Sequence, residues 1–460
     1  FRWTTAGGLA LTIATASSAS TSCYTGSINV RNLDFQTEIV DGGIGLNVEA
    51  TTSCTSPAAA PASTMLNLKF LGNGTSYWTY DEVYTKISNL NIIGGSRHGK
   101  SNSDPDGYGT LVQGTDPDYV VQVNVIGTQY SNLDTGFIYG DFTQGVTISG
   151  GANFTVMGGC GTLVAAAPTG FQDEFFINTT QTGFINGLAH HCIEGDITHI
   201  NISNNLLYTA FGPLGTGVTG IHLNAAFITS WVITGNQTDT IIPSTVDVNF
   251  VLNQSAGDGV FDSNQLRNYG FGMAINSATA LVNVGPSNNN DRQIRTIVVA
   301  NAGGTTSPFV YFPPISPLRW FGAKCDGVED DVNAFVIAGT TVGVRDVGIL
   351  PGDVCALDAD ISFGKILNFS QSASVAPAVT RTLTLTAGWV SRGITINSGA
   401  GAIAGSSVQL RVGSGIGIVQ SFGGPNLFMP NLVDAAAPIR FVCVTAGGEL
   451  FYRTVQCDTP

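Results

Sequence analysis

One short phrase returns between residues 25 and 300, and it limits the possible folds more than any other feature of the chain. It reads apolar, polar, apolar, then a small residue that closes the phrase. Examples are "INVRNLDF" from Ile28, "ISNLNIIGG" from Ile87, "VVQVNVIGT" from Val120, "GVTISGG" from Gly145, "THINISNN" from Thr198 and "SWVITGN" from Ser230. Alternation with period two marks a strand with one buried face. The closing Gly or Asn accepts positive φ, so the chain turns sharply there. Recurrence on the order of 20–40 residues, with strands and no helical period, is the signature of a solenoid. The spacing predicts a right-handed parallel β-helix, in which each coil buries its inward face only by stacking on its neighbours. Asn204, Asn205 and Asn236 stand at predicted corners. They have two readings: side-chain ladders from coil to coil, or ordinary turn residues, the second being the simpler.

Composition agrees with an all-β chain. Of 460 residues, 43% are apolar and 11% charged, with Gly, Ser, Thr and Asn abundant. That is too few charges for helical faces and too much apolar content for long disorder. The net charge of −14 argues against a nucleic-acid partner and against an anionic membrane surface, and leaves neutral glycans or cationic partners. Unbroken apolar runs fall short of about 18 residues, so no membrane insertion is predicted. "GGLALTIATASSAS", preceded by Arg2, has some features of a signal peptide, but its alternation reads better as a strand. The reading taken is of a first β-helix whose own start lies upstream of residue 1.

Eight cysteines are present, and Cys23/Cys54, Cys160/Cys192 and Cys325/Cys355 each lie about one coil apart. Partners at that distance are bonded or merely packed as small hydrophobes. Packing is the expectation for most, and a hairpin-closing bond between Cys443 and Cys457 stays open. No Cys/His spacing suggests zinc, and no metal or cofactor is predicted.

The texture changes near residue 303, where "GGTTSPFVYFPPISPLRW" carries four prolines that block regular ladders. Beyond residue 365 come alternating strands with glycine-rich turns, such as "TRTLTLTAGW" and "IRFVCVTAGGELFYRTVQC". The expected organisation is a parallel β-helix over 1–302, a Pro-rich joint with a second opening motif over 303–365, and a β-rich tip or trimerisation domain over 366–460.

That second opening motif is "FGAKCDGVEDDVNAF…GILPGDVCAL". Physically it reads as a cap. Asp330 or Asp331 would accept hydrogen bonds from the free N–H groups of the following helix, and Val332, Phe335 and Val336 would form its apolar stripe. Across the open end of a β-helix, such a helix covers edge groups that invite aggregation. The motif resembles the opening of the pectate-lyase-like β-helix superfamily, of the bacteriophage tailspike and tail-fibre type. Phe321, Gly322, Ala323, Asp326, Gly327, Asp330, Asp331, Ala334, Phe335, Pro351 and Gly352 match its usual form. The resemblance covers about forty residues and departs from the family in having a short, β-branched helix and only a small second unit. It implies a homotrimer on a virion tail, outside the cell, contacting other tail proteins and a host-surface polysaccharide. Asp326, Gly327, Asp330 and Asp331 are then structural cap residues.

Chemistry has few places to sit. Hydrolysis of a glycosidic bond needs two carboxylates, and elimination, which leans on cationic groups, suits a chain this poor in Lys and Arg less well. "HHCIEGDITH" gathers Glu194, Asp196 and His191 as catalytic candidates beside His190 and His199, with a plain polar turn as the alternative. Weaker sets are Asp104, Asp106, Asp116 and Asp118, then Asp173 with Glu174, and Asp258 with Asp262. Tyr108, Tyr119, Tyr208 and Trp231 are candidate glycan-binding platforms. The leading expectation is a glycan-binding tail fibre or tailspike. The alternatives are a depolymerase that hydrolyses the glycan, and a secreted structural or adhesive β-helix protein.

Overall fold

The computed structural model describes residues 2–3, 8–15, 27–37, 43–50, 63–71, 78–84, 89–99, 107–114, 122–141, 143–165, 172–183, 189–209, 219–225, 227–240, 248–252, 256–266, 271–275, 281–290, 296–300, 309–341, 343–370, 373–377, 381–385, 389–391, 395–396, 407–412, 416–421, 427–428, 441–444 and 450–453. It divides into two units, one of residues 1–291 with 298–310, the other of 292–297 with 311–460.

The first unit is a right-handed parallel β-helix of three 11-stranded sheets. Every third strand joins the same sheet: Arg2–Trp3 begins the first, Gly8–Thr15 the second and Asn29–Arg31 the third. Within the stretch weighed as a signal peptide, Gly8–Thr15 is thus a strand. All six phrases that reveal the repeat in the sequence fall on third-sheet strands, and the first of them runs on into Asp34–Thr37 of the first sheet.

Nine of the eleven third-sheet strands are followed directly by a left-handed residue. Asn32, Asn67, Gly94, Gly127, Gly150, Thr179, Asn204, Gly235 and Ser263 occupy this corner with φ between 52° and 67°, separated by 23 to 35 residues. The corner fixes the coil, because a left-handed residue swings the chain from the third sheet into the first.

Inward residues stack in register. A rung of the third sheet runs Val30, Met65, Ile92, Val125, Ile148, Ile177, Ile202, Ile233, Phe261, Val284, all buried. In the first sheet the rung is aromatic: Phe35 stacks on Phe70 at 4.6 Å and Tyr130 on Phe154 at 5.0 Å. Arg97 fills the coil between, fully buried, its guanidinium carbon 5.0 Å from the Phe70 ring centre and 5.8 Å from that of Tyr130. A planar, weakly hydrated guanidinium continues a ring stack where an ammonium would not.

At the turn that follows the third-sheet strands a buried amide ladder climbs four coils, its first three members each directly after a left-handed corner. Asn236 Oδ1 accepts from the backbone N–H and Nδ2 of Asn205, Asn264 Oδ1 from those of Asn236, and Asn288 Oδ1 from those of Asn264. Each Nδ2 also donates to a third-sheet carbonyl, at Ile177, Ile202, Ile233 and Phe261. Asn205 and Asn236 are therefore ladder residues. Asn204, one place earlier, is the exposed left-handed corner.

The second unit opens on Ile315–Pro317, the short turn Leu318–Phe321, the strand Asp326–Asp330 and the helix Val332–Thr340. Coils then follow through Asp346–Ile349, Val354–Leu357 and Ile361–Phe363, then Ile366–Phe369, Ser374–Pro377 and Arg381–Leu385, and on to Ser407–Val412. Among the described residues, strands pair antiparallel only from Ser407 onward. Coils thus continue past residue 366, where the sequence suggested a separate tip, and the units divide near residue 310.

The helix takes the place of a strand in its coil and packs on Ile361–Phe363, the first strand of the third sheet of this unit. Phe335 meets Phe363 edge-on at 5.7 Å, with Ala334 and Ala338 buried beside it. The expected stripe needs correction: Val336 faces outward and Val332 is half-buried. Small alanines let the helix approach closely, which a Val332–Val336 face would prevent.

The acids of the motif divide the work. Asp330 Oδ1 accepts from Val332 N–H at the helix start and from Asp358 N–H. Asp331 stands at the N-cap position, but its side chain caps no helix N–H. Buried, it accepts from the N–H groups of Lys324 (2.7 Å) and Cys325 (3.3 Å) and from that of Ala356 (3.0 Å), joining two segments. Burial pushes its carboxyl up to about 6 against these three donors. Asp326 Oδ1 accepts from Val328 and Glu329 N–H, which holds its carboxyl below the usual range. Gly327 turns at φ 80° against Val354. Arg319 forks onto the buried Asp353 through Nε and Nη2.

The expectation that cysteines merely pack is corrected at two pairs: Cys160–Cys192 and Cys325–Cys355 are disulfides, each linking adjacent coils. Cys23, Cys54 and Cys457 lie outside the described residues, as does the side chain of Cys443. No helix among the described residues is long and apolar enough to cross a membrane.

Candidate functional site

A strand that simply alternates would turn every second residue outward. Four successive third-sheet strands break this rule at their start. Between buried Gln172 and Phe175 stand Asp173 and Glu174; between Ile197 and Ile200 stand Thr198 and His199; between Ile228 and Trp231 stand Thr229 and Ser230. In the fourth strand Gly257 and Asp258 hold the same two places. The coils stay in register, Glu174 beside His199, His199 beside Ser230, and Ser230 beside Asp258. One extra residue per strand, as in a bulge, doubles the outward side chains per coil and makes a strip of acids, hydroxyls and one imidazole.

Contacts within the strip are short. Thr198 Oγ1 donates to Asp173, and His199 Nδ1 lies 2.9 Å from that hydroxyl and 3.9 Å from Asp173 Oδ1. Both near approaches fall on one ring nitrogen, so the three groups do not form a relay through the imidazole.

The turn leading into the strip holds two of the predicted catalytic residues. Glu194 Oε2 accepts from Asn224 Nδ2 at 2.6 Å, and its Oε1 stands 3.6 Å from His222 Nδ1. Burial lowers the His222 pKa, and Glu194 partly offsets this. Asp196 Oδ1 accepts from Phe227 N–H at 2.8 Å, which fixes the Phe227 backbone while the residue as a whole is 53% exposed. Gly195 is required between the two acids, because a Cβ there would lie 2.1 Å from the Ala165 carbonyl oxygen.

Two candidates are corrected. His191 is fully buried, its Nδ1 2.9 Å from Thr162 Oγ1, and burial drives its pKa down to about 3. An imidazole kept neutral inside the core does not exchange protons with a sugar, so it leaves the catalytic set. His190 beside it is equally buried. Trp231 belongs to the core too, with Nε1 donating to the Gly257 carbonyl, and offers no ring face to a glycan. Its strand looked regular in sequence; the extra residue ahead of it rotates it inward.

Tyr108 is half-buried at the start of a second-sheet strand and is not brought to the strip. Tyr119, the Tyr208 side chain, and the Asp104, Asp106, Asp116 and Asp118 set lie outside the described residues. Phe175 is core and Phe176 half-buried. Sequence reasoning missed Phe227, Asn224 and the pairing of His222 with Glu194, since a contact between coils leaves no local pattern.

Among these strip and turn residues there is no lysine or arginine. The arrangement suits hydroxyl-rich, uncharged or cationic ligands and repels anionic ones. No family model matches the chain, and neither a curated protein nor a solved structure does.

Proposed function

We propose that the protein is a glycan-binding tail fibre or tailspike, trimeric and extracellular, that uses the third-sheet strip and the adjoining turn to hold a host-surface polysaccharide. The doubled outward row, from Asp173 and Glu174 to Asp258, carries this reading, with the exposed Phe227 ring beside it. Repeated acceptors at coil spacing match the repeated hydroxyls of a polysaccharide, and an exposed ring gives a sugar face an apolar partner. Two disulfides suit a protein that works in an oxidising exterior. The opening motif at Phe321–Gly352 supports the tailspike-like class within the pectate-lyase-like superfamily.

Calorimetric titration with host polysaccharide tests the reading. Phe227→Ala is expected to weaken binding about tenfold, the equivalent of ~1.4 kcal/mol, while light scattering on the same sample gives three chains per particle. A monomer that binds no glycan overturns it and leaves the secreted structural reading in front. One observation favours hydrolysis as a second reading: Glu194 and Asp196 flank a single turn, one of them beside His222. In that case the polysaccharide gains reducing ends, and Glu194→Gln abolishes the gain.

A further inference from the structure

Among the described residues, three potential metal-binding side chains converge on one point of the second unit. Cys325 Sγ, Cys355 Sγ and an oxygen of Asp331 all lie within 4.8 Å of one another, and all three residues are buried. Cys325 sits just ahead of the strand Asp326–Asp330, and Cys355 within Val354–Leu357. The carboxylate ties the same two segments that the disulfide ties, through the Cys325 N–H on one side and the Ala356 N–H on the other.

A carboxylate offers about four lone-pair sites. The Lys324 and Cys325 donors occupy Oδ1 and the Ala356 donor takes one site on Oδ2, which leaves another on Oδ2 unused. Asp331 is 2% exposed, no lysine or arginine among the described residues forms an ion pair with it, and Asp326 adds a like charge nearby. A buried acid with an unused lone pair, beside two sulfurs, has the donor set of a soft divalent cation.

We propose that, when Cys325 and Cys355 are reduced, their thiolates and Asp331 bind one zinc-like divalent ion, which oxidation of the pair to the disulfide expels. Zn–S bonds of ~2.3 Å at a tetrahedral angle put two sulfurs roughly 3.8 Å apart, and a Zn–O bond of ~2.1 Å puts the oxygen roughly 3.6 Å from each. Three atoms already converging within 4.8 Å reach that arrangement by side-chain rotation. The fourth position goes to a water or a small thiol.

Loading releases one proton from each thiol. On oxidation by an external disulfide, two electrons pass from the two thiolates to that reagent, which takes up two protons and leaves as two thiols. The Cys325–Cys355 bond forms and the ion departs. The opening motif is thereby held by a metal in a thiol-rich compartment and by a covalent bond outside it. The inference rests on the opening motif alone and is independent of the glycan reading.

The probe is Co²⁺, added to the full chain prepared and kept under a phosphine. The folded, reduced chain is expected to take one Co²⁺ with a thiolate-to-metal charge-transfer band, bleached by excess Zn²⁺. The oxidised chain gives no band. Cys355→Ser loses it, and Asp331→Asn, which keeps both thiols, binds at least ~10-fold more weakly. The proposal fails if the folded, reduced chain gives no band, if the band persists unchanged in Cys355→Ser, or if the oxidised chain binds equally well.

Discussion

Gly259 shows how tightly single residues are held. A Cβ on it would come within 2.3 Å of three atoms of the Trp231 ring, one coil below. Gly259→Ala therefore forces the ring out of its place against the Gly257 carbonyl. The expected cost is about 3 kcal/mol, read as a lower midpoint in urea unfolding. His191 makes a prediction in pH. Its folded pKa of about 3 lies below the ordinary 6.5, so between those values the unfolded chain binds a proton that the folded chain refuses. The stability conferred by the neutral imidazole is present above pH 6.5 and is lost as pH falls toward 3, at about 1.4 kcal/mol per pH unit. His190, also held well below its ordinary value, adds to the slope. His191→Gln keeps a partner for Thr162 and should flatten the pH dependence of the first unit's unfolding between pH 6 and 4 by about that amount; an unchanged slope would show that this imidazole titrates normally.

At the scale of elements, the amide ladder is the clearest case. Asn236→Ala removes the acceptor for two Asn205 donors and the donor to the Ile202 carbonyl. Leaving buried groups unpaired costs ~1–3 kcal/mol each, so the first unit should lose about 3 kcal/mol in denaturant titration. Asn204→Ala loses no ladder bond; it strains only a left-handed corner, by ~1–2 kcal/mol. Alternation and closing residues made six of the eleven third-sheet strands and their corners legible in the sequence. The other two sheets were not, because their strands share no phrase. Asn264 and Asn288 sit in "DSNQ" and "PSNNN", which read like any turn; only the register aligns them with Asn205. The acids of the strip were visible only as separate pairs, Asp173 with Glu174 and Asp258 with Asp262, because their alignment through His199 and Ser230 exists only in the register of the coils. Trp231 was placed outward because its strand looked regular in sequence. Cysteine spacing was visible, but a small hydrophobe and a half-cystine look alike until their Cα atoms are known to face each other.

For the whole molecule, every inference depends on the chain returning onto itself coil after coil. The core rungs, the amide ladder and the strip are each made of residues far apart in sequence, and none exists in a chain that folds locally. Two disulfides among the described residues sample this return in both units, because Cys160–Cys192 closes a loop of 32 residues and Cys325–Cys355 one of 30. Peptide mapping by mass spectrometry, on protein digested without reduction after isolation under oxidising conditions, measures it directly. The coil stack predicts cross-linked peptides joining Cys160 to Cys192 and Cys325 to Cys355. Recovery of these four cysteines as free thiols, or joined in any other pairing, would contradict it.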